Sequence, residues 1–174
     1  MGYTLFGKSA FMFFYLKNKI ENTKNITVRK IKKKEIKEFK GVFNEVFTKG
    51  EKDDIYKGVS PLYGEFLQKR LKGKKKGCYA EPFAAFADRK LVGTVVIIHN
   101  KIDGYIYALA VLPEYRKMGA GKALLGACVK RAQEIKLENL CLATEKDSRN
   151  EKIFSKIGFK TKFVVKQLWK PLPV

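Results

Sequence analysis

The sequence predicts a mixed α/β fold in which an antiparallel run of strands is combined with helices. Three apolar runs separated by short turns fill residues 79–111, and this arrangement is typical of a β-meander. Segments with the helical period stand before and after the meander, at residues 36–47 and 124–135. A glycine-containing junction joins the last run of the meander to the second of these helices, which we expect to cover the sheet.

The first 24 residues are predicted to be an N-terminal extension, followed by one domain over residues 25–174. Residues 10–16 are apolar but far too short to span a bilayer, and no small-residue cleavage site follows them. Phe6 stands where an N-myristoylation motif needs Ser or Thr. We expect this extension to pack on the domain or on a partner subunit; a start-site artefact is the alternative.

Regular patterns begin at residue 25. Residues 26–31 alternate like a strand, and apolar residues then recur at helical spacing over residues 36–47. Ser60 and Pro61 indicate the start of a second helix. The apolar face predicted for this helix consists of Leu62, Phe66, Leu67 and Leu71. A charged loop at residues 73–77 leads into the meander.

The meander consists of runs at residues 79–87, 91–99 and 105–111, with turns at 88–90 and near 103–104. After the helix that follows, three further elements are predicted. They are a short buried strand at residues 140–144, a helix at 150–157 that stops at Gly158, and a last strand at 163–169 ended by Pro171.

Length and cysteine content favour one reduced globular domain. The chain has 174 residues, of which 45% are hydrophobic, enough for a sizeable core. Cys78, Cys128 and Cys141 form neither a zinc pattern nor a disulfide framework. We therefore expect no metal site, buried inert thiols and a cytoplasmic protein.

The formal net charge of +20 comes almost entirely from lysine. The lysine-rich stretches at residues 30–34 and 69–76 are candidate nucleic-acid patches. Lysine is spread along the whole chain, however, and no RNA-recognition or helix-turn-helix signature accompanies it. We therefore expect solvated lysine faces that attract anionic ligands, without a specific nucleic-acid partner or a membrane partner.

The junction at residues 111–122 is the most informative segment. Its glycines let backbone N–H groups approach a ligand, and the first turn of a helix presents unpaired donors and the positive end of the helix dipole. Together with the basic residues Arg116, Lys117 and Lys122, these features favour a phosphate or pyrophosphate. A tight loop without a ligand is the alternative. The segment lacks the signatures of a nucleotide P-loop and of a dinucleotide fingerprint.

The Arg-x-x-Gly-x-Gly sequence at residues 116–121 resembles motif A of the GNAT superfamily of N-acetyltransferases. A second segment, residues 150–159, is similar to the family's Asn-containing segment that ends in Tyr-x-x-x-Gly-Phe. The order of the predicted elements over about residues 25–170 also resembles the GNAT fold. The resemblance implies a GNAT-like α+β arrangement, with a mixed, mostly antiparallel central sheet flanked by helices.

The resemblance further implies that acetyl-CoA is a cosubstrate. The backbone of the strand before motif A would pair with the pantetheine arm, and motif A would hold the pyrophosphate. The implied cofactor-binding residues are Leu109, Ala110, Val111, Arg116, Lys117, Met118, Gly119, Ala120, Gly121, Lys122, Asn150 and Phe154. The backbone N–H of Val111 would polarise the thioester carbonyl. Asn150 is alternatively a helix N-cap, and Gly158 fits a left-handed C-cap.

Phe154 departs from the family pattern, in which a tyrosine at this position protonates the departing CoA thiolate. A phenyl ring cannot donate a proton, so water, another residue or bulk solvent would supply it; loss of catalysis is the alternative. The first candidate for the base that deprotonates the amine is Glu145, ahead of His99, Tyr105 and Tyr107. Each of these four is alternatively an ordinary surface or structural residue.

The leading functional prediction is an acetyl-CoA-dependent N-acetyltransferase that moves the acetyl group directly to a primary amine. The alternatives are a non-catalytic acyl-CoA sensor or interaction module, suggested by Phe154, and a lysine-rich nucleic-acid-binding protein. The loops at residues 48–60 and 147–149, which would shape the acceptor pocket, carry no readable specificity code. The aromatic N-terminal segment favours a homodimer.

Overall fold

The computed structural model describes residues 4–21, 23, 25–49, 60, 62–72 and 77–169. Within these ranges the strands are β1 (Thr4–Phe14), β2 (Thr27–Lys30), β3 (Tyr79–Ala87), β4 (Lys90–His99), β5 (Asp103–Val111), β6 (Asn139–Glu145) and β7 (Phe159–Trp169). The helices are α1 (Ile36–Lys49), α2 (Leu62–Lys72), α3 (Ala120–Glu134) and α4 (Arg149–Ile157), with short 3-10 turns at Lys33–Glu35 and Pro113–Tyr115. Most of the predicted loop at 48–60, the charged loop at 73–76 and Pro171 lie outside the described residues.

The described strands form one seven-stranded sheet in the order β2-β3-β4-β5-β6-β1-β7. Every neighbouring pair is antiparallel except β5 and β6, which are parallel. Parallel pairing requires a crossover, and α3 provides it. The predicted mixed, mostly antiparallel sheet flanked by helices is therefore confirmed.

Strand β1 lies inside the sheet, between β6 and β7. Its pairing with β6 runs from Ser9 opposite Glu145 to Phe14 opposite Leu140. Ala10, Met12 and Phe14 are buried on one face, as the two-residue period of a strand requires. Residues 4–14 of the predicted N-terminal extension are thus part of the central sheet, while the division of the chain at residue 25 stays a prediction.

Helices cover both faces of the sheet. Val95 and Ile97 of β4 pack in the main core beneath α3, whereas Val96 between them packs with Phe39 of α1 and Leu67 of α2. Successive side chains of a strand point to opposite faces, so α3 lies on one face and α1 and α2 lie on the other. Helix α4 lies on the same face as α3, because Phe154 and Ile157 pack against the same main core.

The predicted apolar face of α2 is only half right. Leu67 is buried, but Leu62 and Phe66 are 73% and 64% exposed. Successive residues of a helix are about 100° apart, which places Leu62 and Phe66 roughly opposite Leu71 and away from Leu67. The face that meets α1 instead includes Gly64, where an added Cβ would lie 2.0 Å from Oδ1 of Asn44.

Strand β7 begins four residues earlier than predicted, at Phe159. Gly158 closes α4 in the left-handed conformation, at φ 115°, so the chain reverses direction within one residue. Phe159 then enters the core at 1% exposure and packs on Phe14 with ring centroids 5.1 Å apart. Exposed polar residues at 160–162 concealed this start, because they resemble a loop but lie on an edge strand.

A buried carboxylate ties the covering helix α3 to the sheet. Glu81 of β3 accepts two hydrogen bonds of 2.9 Å from Arg131 of α3, one of 3.0 Å from Lys30 of β2, and contacts Nε2 of His99 at 3.1 Å. Burial of Glu81 pushes its pKa upward, but the hydrogen bonds from Arg131, Lys30 and His99 outweigh burial and hold the pKa at about 2. This ionic cluster joins three strands and one helix.

No helix among the described residues is long and apolar enough to cross a membrane.

Candidate functional site

Strands β5 and β6 separate partway along the sheet. Their pairing covers only Asp103 to Tyr105 on β5, opposite Asn139 to Cys141 on β6. Beyond that point β6 continues to pair with β1 on its other side, and β5 continues to pair with β4 as far as Val111. A gap therefore opens between β5 and β6, and the β5 backbone forms one of its walls.

A β-bulge in β5 lies in the part of the strand that borders this gap. Thr94 pairs with Ala110 and Val96 pairs with Tyr107, so that Ala108 and Leu109 both lie opposite one residue of β4. Ala108 adopts φ 56°, in the left-handed region that a non-glycine residue occupies at a cost of about 1–2 kcal/mol. Bulges bend a strand away from its neighbour, which accounts for the position of the gap.

The backbone of Val111 faces the gap. The N–H of the next residue, Leu112, donates to Val92 O of β4 at 2.9 Å. N–H groups of successive extended residues point to opposite sides, so the N–H and C=O of Val111 face away from β4, and those of Leu109 do the same. The side chain of Arg116 reaches back into this region and donates from Nε to Val111 O at 3.2 Å. The side chains of Leu109 and Val111 pack against the main core.

The chain turns from β5 into α3 through two left-handed residues. Lys117 has φ 64° and Gly119 has φ 86°. Gly119 is the N-cap of α3 and supplies no side-chain acceptor, so the amides of Ala120, Gly121 and Lys122 have no partner within the helix. These donors and the positive end of the helix dipole make the start of α3 a suitable anion site.

The start of α3 lies close to the end of β5, and one glycine of β4 allows the helix to pack this closely. An added Cβ at Gly121 would lie 3.8 Å from Val111 Cγ2, so the first turn of α3 stands beside the end of β5. An added Cβ at Gly93 would lie 3.0 Å from Ala110 O and 3.1 Å from Leu124 Cδ1. Gly93 of β4 is therefore needed for the close packing of α3 on β5. The sequence prediction did not identify this glycine.

Helix α4 has a different N-cap from the one considered in the sequence analysis, and the C-cap that was predicted. Ser148 is the N-cap of α4, since its side chain accepts from the Glu151 amide at 3.2 Å; the alternative role of Asn150 as N-cap is wrong. Asn150 is instead an exposed residue of the first turn. Gly158 is the left-handed C-cap, as predicted. Phe154 is half-buried, with its ring centroid 6.3 Å from that of Phe159.

The candidate bases lie at different levels of the sheet. In the β5–β6 register Tyr105 is opposite Cys141, and Glu145 lies four residues further along β6, where the two strands no longer pair. Tyr105 and Tyr107 lie at the closed end, with ring centroids 6.5 Å apart.

His99 lies elsewhere, because it pairs with Gly104 at the other end of β4 and its ring is held by Glu81 and Asn100 O. The geometry therefore brings Glu145, Tyr105 and Tyr107 to the gap and removes His99 from it.

Burial raises the pKa of Tyr107, and the neighbouring phenol of Tyr63 on α2 raises it further. The thiols of Cys128 and Cys141 also have raised pKa values, in both cases mainly because of burial. Neither cysteine therefore has the depressed pKa of a nucleophilic thiolate at neutral pH.

The chain matches the model of the acetyltransferase (GNAT) family over residues 45–159. Comparison with curated protein sequences gives no match.

Solved structures share the fold at low sequence identity. A conserved protein of unknown function from Staphylococcus epidermidis superposes with a TM-score of 0.72 at 13% identity, over 94% of this chain and 60% of that one. A GCN5-related N-acetyltransferase from Kribbella flavida gives 0.69 at 15% identity, over 99% of this chain and 61% of that one. A GCN5-related N-acetyltransferase from Sphaerobacter thermophilus superposes with a TM-score of 0.72 at 15% identity, over 98% of this chain and 54% of that one. The chain thus spans about three-fifths of the length of the first two structures.

Proposed function

This chain belongs to the acetyltransferase (GNAT) family, and we propose that it transfers an acetyl group from acetyl-CoA directly to a primary amine. Family membership supports acyl-CoA-dependent acetyl transfer in general. The observation that carries the proposal for this chain is the continuity between the open edge of β5 and the amides at the start of α3, which have no partner within the helix. An extended chain that ends in a pyrophosphate fits such an edge.

In this proposal the start of α3 binds the pyrophosphate. The amides of Ala120, Gly121 and Lys122 donate to its oxygens, and Arg116 and Lys117 supply positive charge at the rim. Arg116 is held near the site by its hydrogen bond to Val111 O. Met118 and Gly119 belong to the same loop, and Asn150 and Phe154 belong to α4, the helix that follows β6.

The pantetheine arm would lie along the open edge of β5, where the backbone of Leu109 and Val111 faces the gap. Its amide groups would pair with these backbone groups as an added strand pairs with a sheet edge. Ala110 contributes shape alone, because its backbone groups are directed to Thr94 of β4.

The chemistry is attack of a neutral amine on the thioester carbonyl. The new C–N bond forms as the C–S bond breaks, which gives an N-acetylated product and CoA thiolate. The Val111 N–H faces the gap and is our candidate for stabilising the developing oxyanion. Glu145, at the end of β6 on the other side of the gap, is our candidate for accepting the amine proton, directly or through water. Free thiols have a pKa of about 8.5, so the thiolate can take its proton from solvent.

Isothermal titration with acetyl-CoA tests the binding half of the proposal. Arg116→Ala should weaken binding by roughly ten- to hundredfold, since a charge-assisted hydrogen bond contributes about 1.5–3 kcal/mol. The matched control is Arg89→Asn, which removes one exposed arginine from the β3–β4 turn and preserves its left-handed conformation. Absence of acetyl-CoA binding in the folded wild-type chain would refute the proposal.

A panel of primary amines, monitored by release of free thiol, tests the transfer half. Thiol release that requires an amine, together with a mass increase of the amine by one acetyl group, supports the enzyme. Acetyl-CoA binding without thiol release for any amine in the panel would instead support a non-catalytic acyl-CoA sensor. Phe154 is the observation that keeps this second function under consideration.

A further inference from the structure

The chain between β1 and β2 runs along α3 toward the proposed pyrophosphate site. We call its described residues from Leu16 to Thr23 the strap. Near the end of α3, the side-chain amide of Gln133 donates to Leu16 O at 2.7 Å and to Asn18 O at 2.9 Å. Near the middle of the helix, an added Cβ at Gly126 would lie 3.6 Å from Ile20 O. The strap therefore follows α3 from its C-terminal end toward its N-terminal end.

The strap ends on the N-cap of α3. Oγ1 of Thr23 donates to Gly119 O at 3.3 Å. An added Cβ at Gly119 would lie 2.2 Å from Thr23 Cγ2 and 2.9 Å from its Oγ1, so the threonine side chain lies directly against the glycine Cα. Gly119 is thus required both by its left-handed φ of 86° and by the space that Thr23 fills.

The strap has little slack. Positions 119 and 133 of α3 are about 21 Å apart along the helix axis, at about 1.5 Å per residue. The seven residue-to-residue steps from Leu16 to Thr23 reach at most about 23–25 Å when fully extended. The contact with Gln133 at one end therefore limits how far Thr23 can move from Gly119 at the other.

The contact with Thr23 fixes the orientation of one peptide group. Gly119 O accepts both from Thr23 and from the Ala123 amide, the latter at 2.9 Å. The peptide that links Gly119 to Ala120 is planar and trans, so its N–H points opposite to its C=O. Two donors that hold the carbonyl toward the helix therefore aim the Ala120 N–H out of the helix terminus.

We propose that Thr23 is a positioning residue for the acetyl-CoA pyrophosphate, acting through the Gly119–Ala120 peptide group. This inference rests on the proposed function, since it takes the pyrophosphate as the ligand of that amide. Thr23 itself need not touch the ligand. The N-terminal part of the chain, which contributes an inner strand of the sheet, then also shapes the anion site through the strap.

Thr23→Val tests the inference because it keeps the shape of the side chain and removes only the donor. We expect the dissociation constant of acetyl-CoA to rise roughly five- to tenfold at a temperature well below unfolding, as the loss of one hydrogen bond implies. Thr23→Ser keeps the donor and should stay within about twofold of wild type. The matched control Thr27→Val removes an exposed hydroxyl from β2 and should leave affinity unchanged.

Inorganic pyrophosphate, used as a competitor of acetyl-CoA, separates positioning from general stability. Thr23→Val should weaken pyrophosphate by about the same factor as acetyl-CoA, whereas a merely structural role would lower the unfolding temperature and leave both affinities unchanged. If Thr23→Val does not fold, Thr23→Ala provides the same comparison without a branched side chain.

The outcomes distinguish the two proposals. Equal affinities of wild type and Thr23→Val for both ligands would overturn this inference and leave the proposed function intact. A folded wild type that binds neither ligand would overturn both. Selective loss of both affinities in Thr23→Val, with rescue by Thr23→Ser, would support the positioning role.

Discussion

Acid should weaken the attachment of α3 to the sheet through Glu81. The side chain of Glu81 is 11% exposed and is surrounded by Arg131, Lys30 and His99. Its pKa falls from an ordinary value of 4.5 to about 2 on folding. Each unit of pKa is worth about 1.4 kcal/mol, so the ionised carboxylate contributes about 3 kcal/mol to the free energy of unfolding near neutral pH.

The sign of the pH dependence follows from the depressed pKa. The unfolded chain binds the proton first as pH falls, so stability is fully present above pH 4.5 and decreases from there toward pH 2. Glu81→Gln removes the titrating carboxylate and leaves Arg131, Lys30 and His99 around a neutral amide. We expect this variant to have a free energy of unfolding about 3–5 kcal/mol lower than wild type at pH 5.5. The difference between wild type and the variant should then shrink by about 1.4 kcal/mol at pH 3.5.

Urea unfolding at pH 5.5, 4.5 and 3.5 measures this difference, below the ordinary titration range of histidine. Glu138→Gln is the control, since it removes an exposed carboxylate close to the end of α3 and should change stability by less than about 0.5 kcal/mol at each pH. A stability difference between wild type and Glu81→Gln that stays constant from pH 5.5 to 3.5 would show that Glu81 does not titrate as the cluster requires.

Three further outcomes are expected. Phe154→Tyr should accelerate amine-dependent thiol release if protonation of the thiolate limits the rate; stopped-flow thiol detection compares it with Phe154→Leu, which adds no hydroxyl. Gln133→Ala should lower the free energy of unfolding by about 1–2 kcal/mol, because two backbone carbonyls of the strap lose their donor. Cys128 is fully buried and its thiol pKa is raised by burial, so native-state alkylation at pH 8 followed by mass spectrometry should modify Cys78 and leave Cys128 intact.

Local patterns predicted the elements around the site because those elements are encoded over short distances. The meander over residues 79–111 alternates within single strands, and the junction at 116–121 contains its own turn residues. The N-cap role of Ser148 could also be predicted from the local sequence, since Ser-x-x-Glu at the start of a helix is the spacing of a capping box. Asn150 was the alternative N-cap because asparagine fills that position well, and this preference takes no account of the Ser-x-x-Glu spacing.

The inner position of β1 could not be predicted in this way. Residues 10–14 are apolar at every position, and such a run does not distinguish a strand from a helix. The pairing of β1 with β6 joins residues more than 120 positions apart, and no local signal encodes it. The Glu81 cluster is concealed for the same reason, because its members come from four separate elements.

The bulge at Ala108 was missed for a different reason. A left-handed residue is normally announced by Gly, Asn or Asp, and alanine gives no such signal. The surrounding sheet holds Ala108 in this conformation, since the residues on either side pair with fixed partners on β4. Strained backbone of this kind persists only where the tertiary structure over-determines it, and it occurs preferentially at functional sites. The site's defining feature, the open edge of β5, therefore depends on a residue whose identity does not reveal its role.

The groups at the gap limit which residues can accept or donate a proton in the proposed reaction. Tyr107 has a raised pKa because of burial and of Tyr63, so it stays protonated near neutral pH and cannot accept the amine proton. His99 is excluded by its place at the other end of β4. Glu145 remains our candidate for accepting that proton, because it ends β6, the strand on the other side of the gap. Because the phenol of Tyr107 stays protonated, it can donate a proton. Tyr107 is therefore a candidate for protonating the departing thiolate, a step for which Phe154 supplies no acid.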